Sequence, residues 1–244
     1  MTVATSSIGV CDLGPQRVRR RPFPHVLVDD FIDAATYGSL KATFPTGPIA
    51  TDPPRFSLYW GDPEYDRLLA ENPAWRVLFD TFHSQRFVDY CVAHFGDFLI
   101  ESGCKVDLGR AVYRPYLEDR VNRKLMHLSR VELEPHELWV RMDIYQGALG
   151  YVQPVHLDAP RRLLSMLVYF CDREETGMRG GELLLHSRNP PPRFPPPVKV
   201  RFRNNRMVMF ACSPRSWHSV PPITAMRRRR DYLQVLLSSS NAVW

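Results

Sequence analysis

The stretch Tyr151-Val-Gln-Pro-Val-His156-Leu-Asp158-Ala-Pro-Arg-Arg162-Leu-Leu-Ser-Met-Leu-Val-Tyr169-Phe170 decides how this chain folds. Two short extended runs, Tyr151–His156 and Leu163–Phe170, flank a turn signal, Asp158-Ala-Pro160. Outward from it, from about residue 137 onward, the apolar period is 2 and not 3.6. The further runs are Leu138–Tyr145, Gly181–His186, Val198–Phe202, Met207–Phe210, Ser216–Val220 and Tyr232–Leu237. Turn signals separate them at Gly147/Gly150, Gly177 to Gly181, the prolines of 190–197, Asn204-Asn205 and Pro221-Pro222. Eight short strands at such spacing predict a sandwich or barrel of the jelly-roll type. The segment 190–197 is a stiff polyproline-like connection, too short to link domains.

Upstream the period is helical. Residues 1–20 read as a loose arm, and Val26–Val28 as a short strand. Asp33 is an N-cap for a helix carrying Tyr37, Leu40 and Phe44, stopped by Pro45. Residues 46–61 read as loop, with Phe56, Tyr59 and Trp60 over the mouth of the site. Helices are predicted over 63–71, from Pro73 with Trp75, Leu78 and Phe82 in register, and over 85–101. The expectation is an α+β, mainly β chain. After the arm, 21–244 forms one domain, with helical support at 30–105 packed on one sheet of a double-stranded β-helix at about 137–238.

At 244 residues, with 44% hydrophobic and 24% charged residues, the chain is neither disordered nor collagen-like. Its longest apolar run, Leu163–Cys171, is far short of the roughly 20 residues that span a bilayer. The first residues lack the apolar core of a secretory signal. The five cysteines, at 11, 91, 104, 171 and 212, have no metal or CxxC spacing. They read as reduced thiols of a cytoplasmic protein. The net charge of +6 admits an anionic substrate, a nucleic acid or a merely soluble surface.

The chemistry centres on His156-Leu-Asp158. On an extended segment residues i and i+2 share a face, so an imidazole and a carboxylate stand side by side. His218 lies on the seventh extended run, and in a jelly roll the second and seventh strands can meet at one end. Two histidines and one carboxylate occupy one face of an octahedron and leave three positions open, a set suited to non-heme Fe(II). His127, His136 and His186 lack ligand spacing and read as structural.

These residues resemble the Fe(II)/2-oxoglutarate-dependent oxygenase superfamily, near its prolyl-4-hydroxylase-like branch. The resemblance is carried by Tyr145, His156-Leu-Asp158, Leu167-Val-Tyr169, Gly180-Gly-Glu-Leu, Met207-Val-Met-Phe210 and Trp217-His-Ser-Val-Pro-Pro222 followed by arginine. The opening Pro22-Phe-Pro-His-Val-Leu-Val-Asp-Asp-Phe31 also resembles bacterial members. The resemblance covers about 137–238 and is not specific for a substrate. It implies a dioxygenase that holds Fe(II) through His156, Asp158 and His218, decarboxylates 2-oxoglutarate to succinate with O2, and hydroxylates or otherwise oxidises an unactivated C–H bond. No protein acid or base is expected.

The family places an arginine for the distal carboxylate of 2-oxoglutarate at the start of the eighth strand. Arg227 to Arg230 all stand there. Leu233, Val235 and Leu237 make one face of the strand, and Arg228, Arg230, Tyr232 and Gln234 the other, which favours Arg230 and then Arg228. Tyr169 and Tyr145 match tyrosines near the same cosubstrate. Arg141 and Arg161, with Arg162, flank the site and could grip an anionic substrate.

The substrate expected is a small molecule, an amino acid or a natural-product intermediate, an anionic one among the options. A nucleic-acid demethylase is a rival that the basic balance favours. It is disfavoured because Arg227–Asn241 lacks an RxNxTxR-like signature and aromatic interleaving. A halogenase would need Asp158 replaced by a small residue. A protein-modifying oxygenase and a non-catalytic jelly-roll module remain alternatives. No membrane partner is expected, and oligomeric state is not legible.

Overall fold

The computed structural model describes residues 10–116, 132–187 and 196–244. His127, most of the proline segment and the first nine residues lie outside the described residues.

Strand β1 (His25–Val28) and helix α1 (Ala34–Ala42) come first. Asp33 caps α1 as its sequence position predicts, its carboxylate accepting from the Thr36 N–H at 3.0 Å. Phe44 lies past the helix end but packs edge-on against Trp75 and at a tilt against Phe170. Then follow β2 (Arg55–Leu58), α2 (Pro63–Glu71), α3 (Pro73–Phe82) and α4 (Gln85–Glu101). The three helices occupy the predicted spans. Residues 46–61 are not all loop: β2 pairs antiparallel with β4. A four-residue edge strand behind Pro53-Pro54 has too few residues to show a period. The short β3 (Val112–Tyr113), parallel to β4, has no sequence signal of its own.

The remaining strands are β4 (Glu137–Gly147), β5 (Gln153–His156), β6 (Arg162–Tyr169), β7 (Leu183–Leu185), β8 (Val198–Val200), β9 (Met207–Ala211), β10 (His218–Val220) and β11 (Arg230–Ser238). A one-turn helix, α5 (Arg173–Thr176), follows β6. The strands form two sheets. One has seven strands in the order β1-β9-β6-β11-β4-β2, with β3 beside β4; the other runs β5-β10-β7-β8. Mainly β sheets in this order fit a jelly roll.

Alternation along the strands of the large sheet builds two cores. Leu164, Met166 and Val168 of β6, Met207 and Met209 of β9, and Leu233, Val235 and Leu237 of β11 join Trp75, Phe82, Phe87 and Phe95 of the helices. The intervening Leu167, Tyr169, Val208, Phe210 and Tyr232 face Leu183, Leu185 and Val220 of the small sheet. With both faces covered, β6 is buried at every position after its first, which explains its unbroken apolar sequence. Its length of eight residues is that of a strand.

Residues 10–20, expected within a loose arm, are tied to this core. Cys11 is buried and bridges Ile32, and Arg19 bridges His25. Backbone pairing here leaves no period in so polar a sequence. The five cysteines are all free thiols. Among the described residues no helix is long and apolar enough to cross a membrane.

Candidate metal centre

Strands β5 and β10 are neighbours in the small sheet, and His156 and His218 are direct cross-strand partners. Their rings are tilted 53° to each other with centroids 4.2 Å apart. Asp158 follows β5 at the turn and brings its carboxylate to the same place: Oδ2 lies 3.9 Å from Nε2 of His218. One donor atom from each of the three lies within 4.8 Å of the others.

Each donor is held from behind. Nδ1 of His156 donates to the Pro154 carbonyl at 2.8 Å, and Nδ1 of His218 to the Ser216 carbonyl at 2.9 Å. Nε2 of both rings is therefore the nitrogen with a free lone pair, the tautomer that a metal requires. Arg162 donates to Oδ1 of Asp158 at 2.5 Å, and the Cys212 thiol lies 3.6 Å from Oδ2. Burial raises the Asp158 pKa, but Arg162, His218 and His156 together outweigh it and hold the carboxyl down at about 2. Two imidazoles that present Nε2 and an ionised carboxylate thus fit a divalent cation.

Two spaces adjoin the triad. A cleft of about 710 Å³ is bordered by His156, Asp158, Arg162, Arg141, Tyr145 and Arg55. A smaller cavity of about 70 Å³ reaches from His156 and His218 to Arg230 and Tyr232. Arg230 is 1% exposed and lies over the rings of Tyr232 and Tyr169, 4.3 and 5.2 Å from their centroids. Its Nη2 donates to the Tyr169 hydroxyl at 3.4 Å, and its Nε has no partner. No carboxylate among the described residues pairs with it.

The other expected residues divide. Arg228 is exposed on the loop before β11 and does not reach the cavity; the strand begins only at Arg230, so the parity that linked the two arginines does not extend to it. Tyr145 borders the cleft, but its hydroxyl donates to Asp143 at 3.0 Å, away from Arg230. Arg141 borders the cleft and pairs with Asp143 at 2.9 Å. Arg161 is buried outside the cleft. Successive side chains alternate, so Arg162 is the one presented to the site. Arg55 was not singled out by sequence, because its strand read as loop. Its guanidinium lies 4.5 Å from the centroid of Tyr145 and touches both spaces.

Residues 141–231 match the model of the 2OG-Fe(II) oxygenase superfamily, the family that the sequence motifs resemble. That superfamily implies Fe(II), 2-oxoglutarate and O2, and the triad offers the iron a site. Among solved structures the chain is similar to a 2OG-Fe(II) oxygenase family oxidoreductase from Burkholderia pseudomallei. There the identity is 14% and the TM-score 0.51, over 90% of this chain and 86% of that one. It is also similar to a prolyl 4-hydroxylase from Phytophthora capsici, with 19% identity and TM-score 0.49, covering 88% of this chain but 59% of that longer one. A Pseudomonas putida prolyl-4-hydroxylase shares 16% identity, with TM-score 0.46, over 88% of this chain and 92% of that one. No curated protein matches.

Proposed function

We propose that the chain is an Fe(II)- and 2-oxoglutarate-dependent dioxygenase that hydroxylates, or otherwise oxidises, an unactivated C–H bond of a small molecule, an amino acid or a natural-product intermediate, with conversion of 2-oxoglutarate to succinate. The observation that carries this reading is a triad of two histidines and a carboxylate whose histidines share one cavity with a buried arginine that no carboxylate among the described residues pairs.

His156, Asp158 and His218 would hold the metal. Fe(II), when bound, supplies the reaction with O2 that no side chain can perform. The chain's own contribution is positional. Backbone carbonyls fix both imidazoles, and Arg162 fixes one oxygen of Asp158. A buried cation over two tyrosine rings needs an anion, and the distal carboxylate of 2-oxoglutarate would meet Arg230, with the Tyr169 hydroxyl beside it.

The size of the larger cleft, about 710 Å³, supports a small-molecule substrate, since such sites run to roughly 300–1,000 Å³. In this proposal residues 21–244 are one oxygenase domain. Strands β4 to β11 make its eight-stranded double-stranded β-helix, and α1 to α4 brace the larger sheet. The free thiols support a reducing, cytoplasmic setting.

The test is O2-dependent formation of succinate from 2-oxoglutarate by Fe(II)-loaded protein, over a panel of candidate substrates with product mass recorded. Fe(II)-dependent succinate and a product heavier by one oxygen are expected. Binding without any succinate would mark a non-catalytic module.

A further inference from the structure

We propose that Arg55 binds a carboxylate carried by the substrate; this rests on the dioxygenase reading above. Arg55 opens β2 in register with Gly147 of β4, and Gly147 is in register with Arg230 of β11. Registered neighbours project to one face of a sheet. Two arginines therefore enter the barrel on either side of a residue with no side chain. In the next inward row Tyr145 and Tyr232 stack at 5.3 Å. Each guanidinium lies over one of these rings, Arg55 over Tyr145 and Arg230 over Tyr232. The pair differs in reach: Arg230 borders the small cavity, whereas Arg55 borders that cavity and the open cleft.

The other arginines of the cleft are engaged, Arg141 with Asp143 and Arg162 with Asp158. The guanidinium of Arg55 makes no hydrogen bond or ion pair with a described residue; the Tyr145 ring is its support. A planar carboxylate matches the guanidinium fork in two parallel hydrogen bonds. With Arg230 given to the cosubstrate, Arg55 is, among the described residues, the cation left for the substrate at the boundary between metal and cleft.

The test uses the full chain loaded with Mn(II) and 2-oxoglutarate, which does not turn over. The probes are the standard L-amino acids and simple aliphatic and aromatic acids, each beside its primary amide, with binding read by calorimetry. At least one acid should bind in preference to its amide. Arg55→Gln should weaken that acid roughly 30-fold or more, and Arg55→Lys less. Mn(II) and 2-oxoglutarate affinities of both variants should stay at the wild-type level, which also reports an intact fold. An acid bound no better than its amide throughout the panel, or equally by Arg55→Gln, overturns the proposal. So does loss of 2-oxoglutarate affinity in Arg55→Gln, which would assign Arg55 to the cosubstrate. Failure of the dioxygenase reading would show differently, as wild-type protein that binds no 2-oxoglutarate at all.

Discussion

Arg230 is the residue on which the cosubstrate site turns. It is buried with its Nε unpaired, and removing it leaves a bound carboxylate without its cation. Arg230→Gln should weaken 2-oxoglutarate binding by about 3–5 kcal/mol, from a hundred- to several-thousand-fold. Arg228→Ala, at an exposed position, should leave it unchanged. Calorimetry on the two variants checks both. The neighbouring Asp231 gives a pH signature. Burial pushes its carboxyl up to about 6, against a hydrogen bond from Gln146 and the charge of Arg229. A raised carboxyl keeps its proton in the folded state after the unfolded chain has lost it. Its stabilising contribution is therefore full below about pH 4 and is lost as pH rises through about 6. Asp231→Asn should remove that decline, on the order of 2–3 kcal/mol, in denaturant unfolding measured across the interval. Identical pH slopes for both proteins would refute it. At this scale the sequence was informative wherever parity applied. His156 with Asp158, and Arg230 with Tyr232, could be placed from a period of 2. Arg161 and Arg162 could not be told apart, because the strand starts between them.

Among the elements, the junction between the loop after α5 and the loop after β10 sets the spacing from His218 to Arg230. Arg179 and Ala225 form a bridge, and the Gly181 N–H donates to the Pro221 carbonyl at 3.1 Å. Gly180 makes this approach possible. Its φ is +81°, and a Cβ there would stand 1.9 Å from the Pro222 carbonyl oxygen, so the backbone would have to move. Gly180→Ala should cost at least about 1–3 kcal/mol and lower the melting temperature by several degrees. Gly38, inside α1, has open space where a Cβ would be. Gly38→Ala should instead stabilise by about 0.5–1 kcal/mol. Thermal melts that moved in the same direction would contradict this reading. Helices α3 and α4 were legible because an apolar stripe repeats along each. Strands β2 and β3 were not. They are short, lie at edges and owe their existence to β4, a partner distant in sequence. Arg55 was missed with β2.

Over the whole molecule, the large sheet divides two cores, one under the helices and one inside the barrel, and the metal triad joins the small sheet to the turn before β6. A ligand that binds only the folded triad must stabilise the entire chain by linkage. Mn(II) should raise the melting temperature of the wild type, and 2-oxoglutarate should raise it further only when metal is present. The double-sheet architecture was legible because alternation marks which residues face which core. The substrate was not, because the cleft walls come from β2, β4, β5 and β6 together, and no local pattern records their meeting. The most direct test of the central claim is equilibrium dialysis of Mn(II) against wild type and the variants His156→Ala, Asp158→Ala and His218→Ala, with melting temperatures taken in chelator. One ion per wild-type chain is expected, with a large loss of affinity in every variant; metal-free stability should change little in the two histidine variants, whereas Asp158→Ala also breaks the ion pair with Arg162 and is destabilised. Undiminished binding in any one of the three would mean that the triad does not hold the metal.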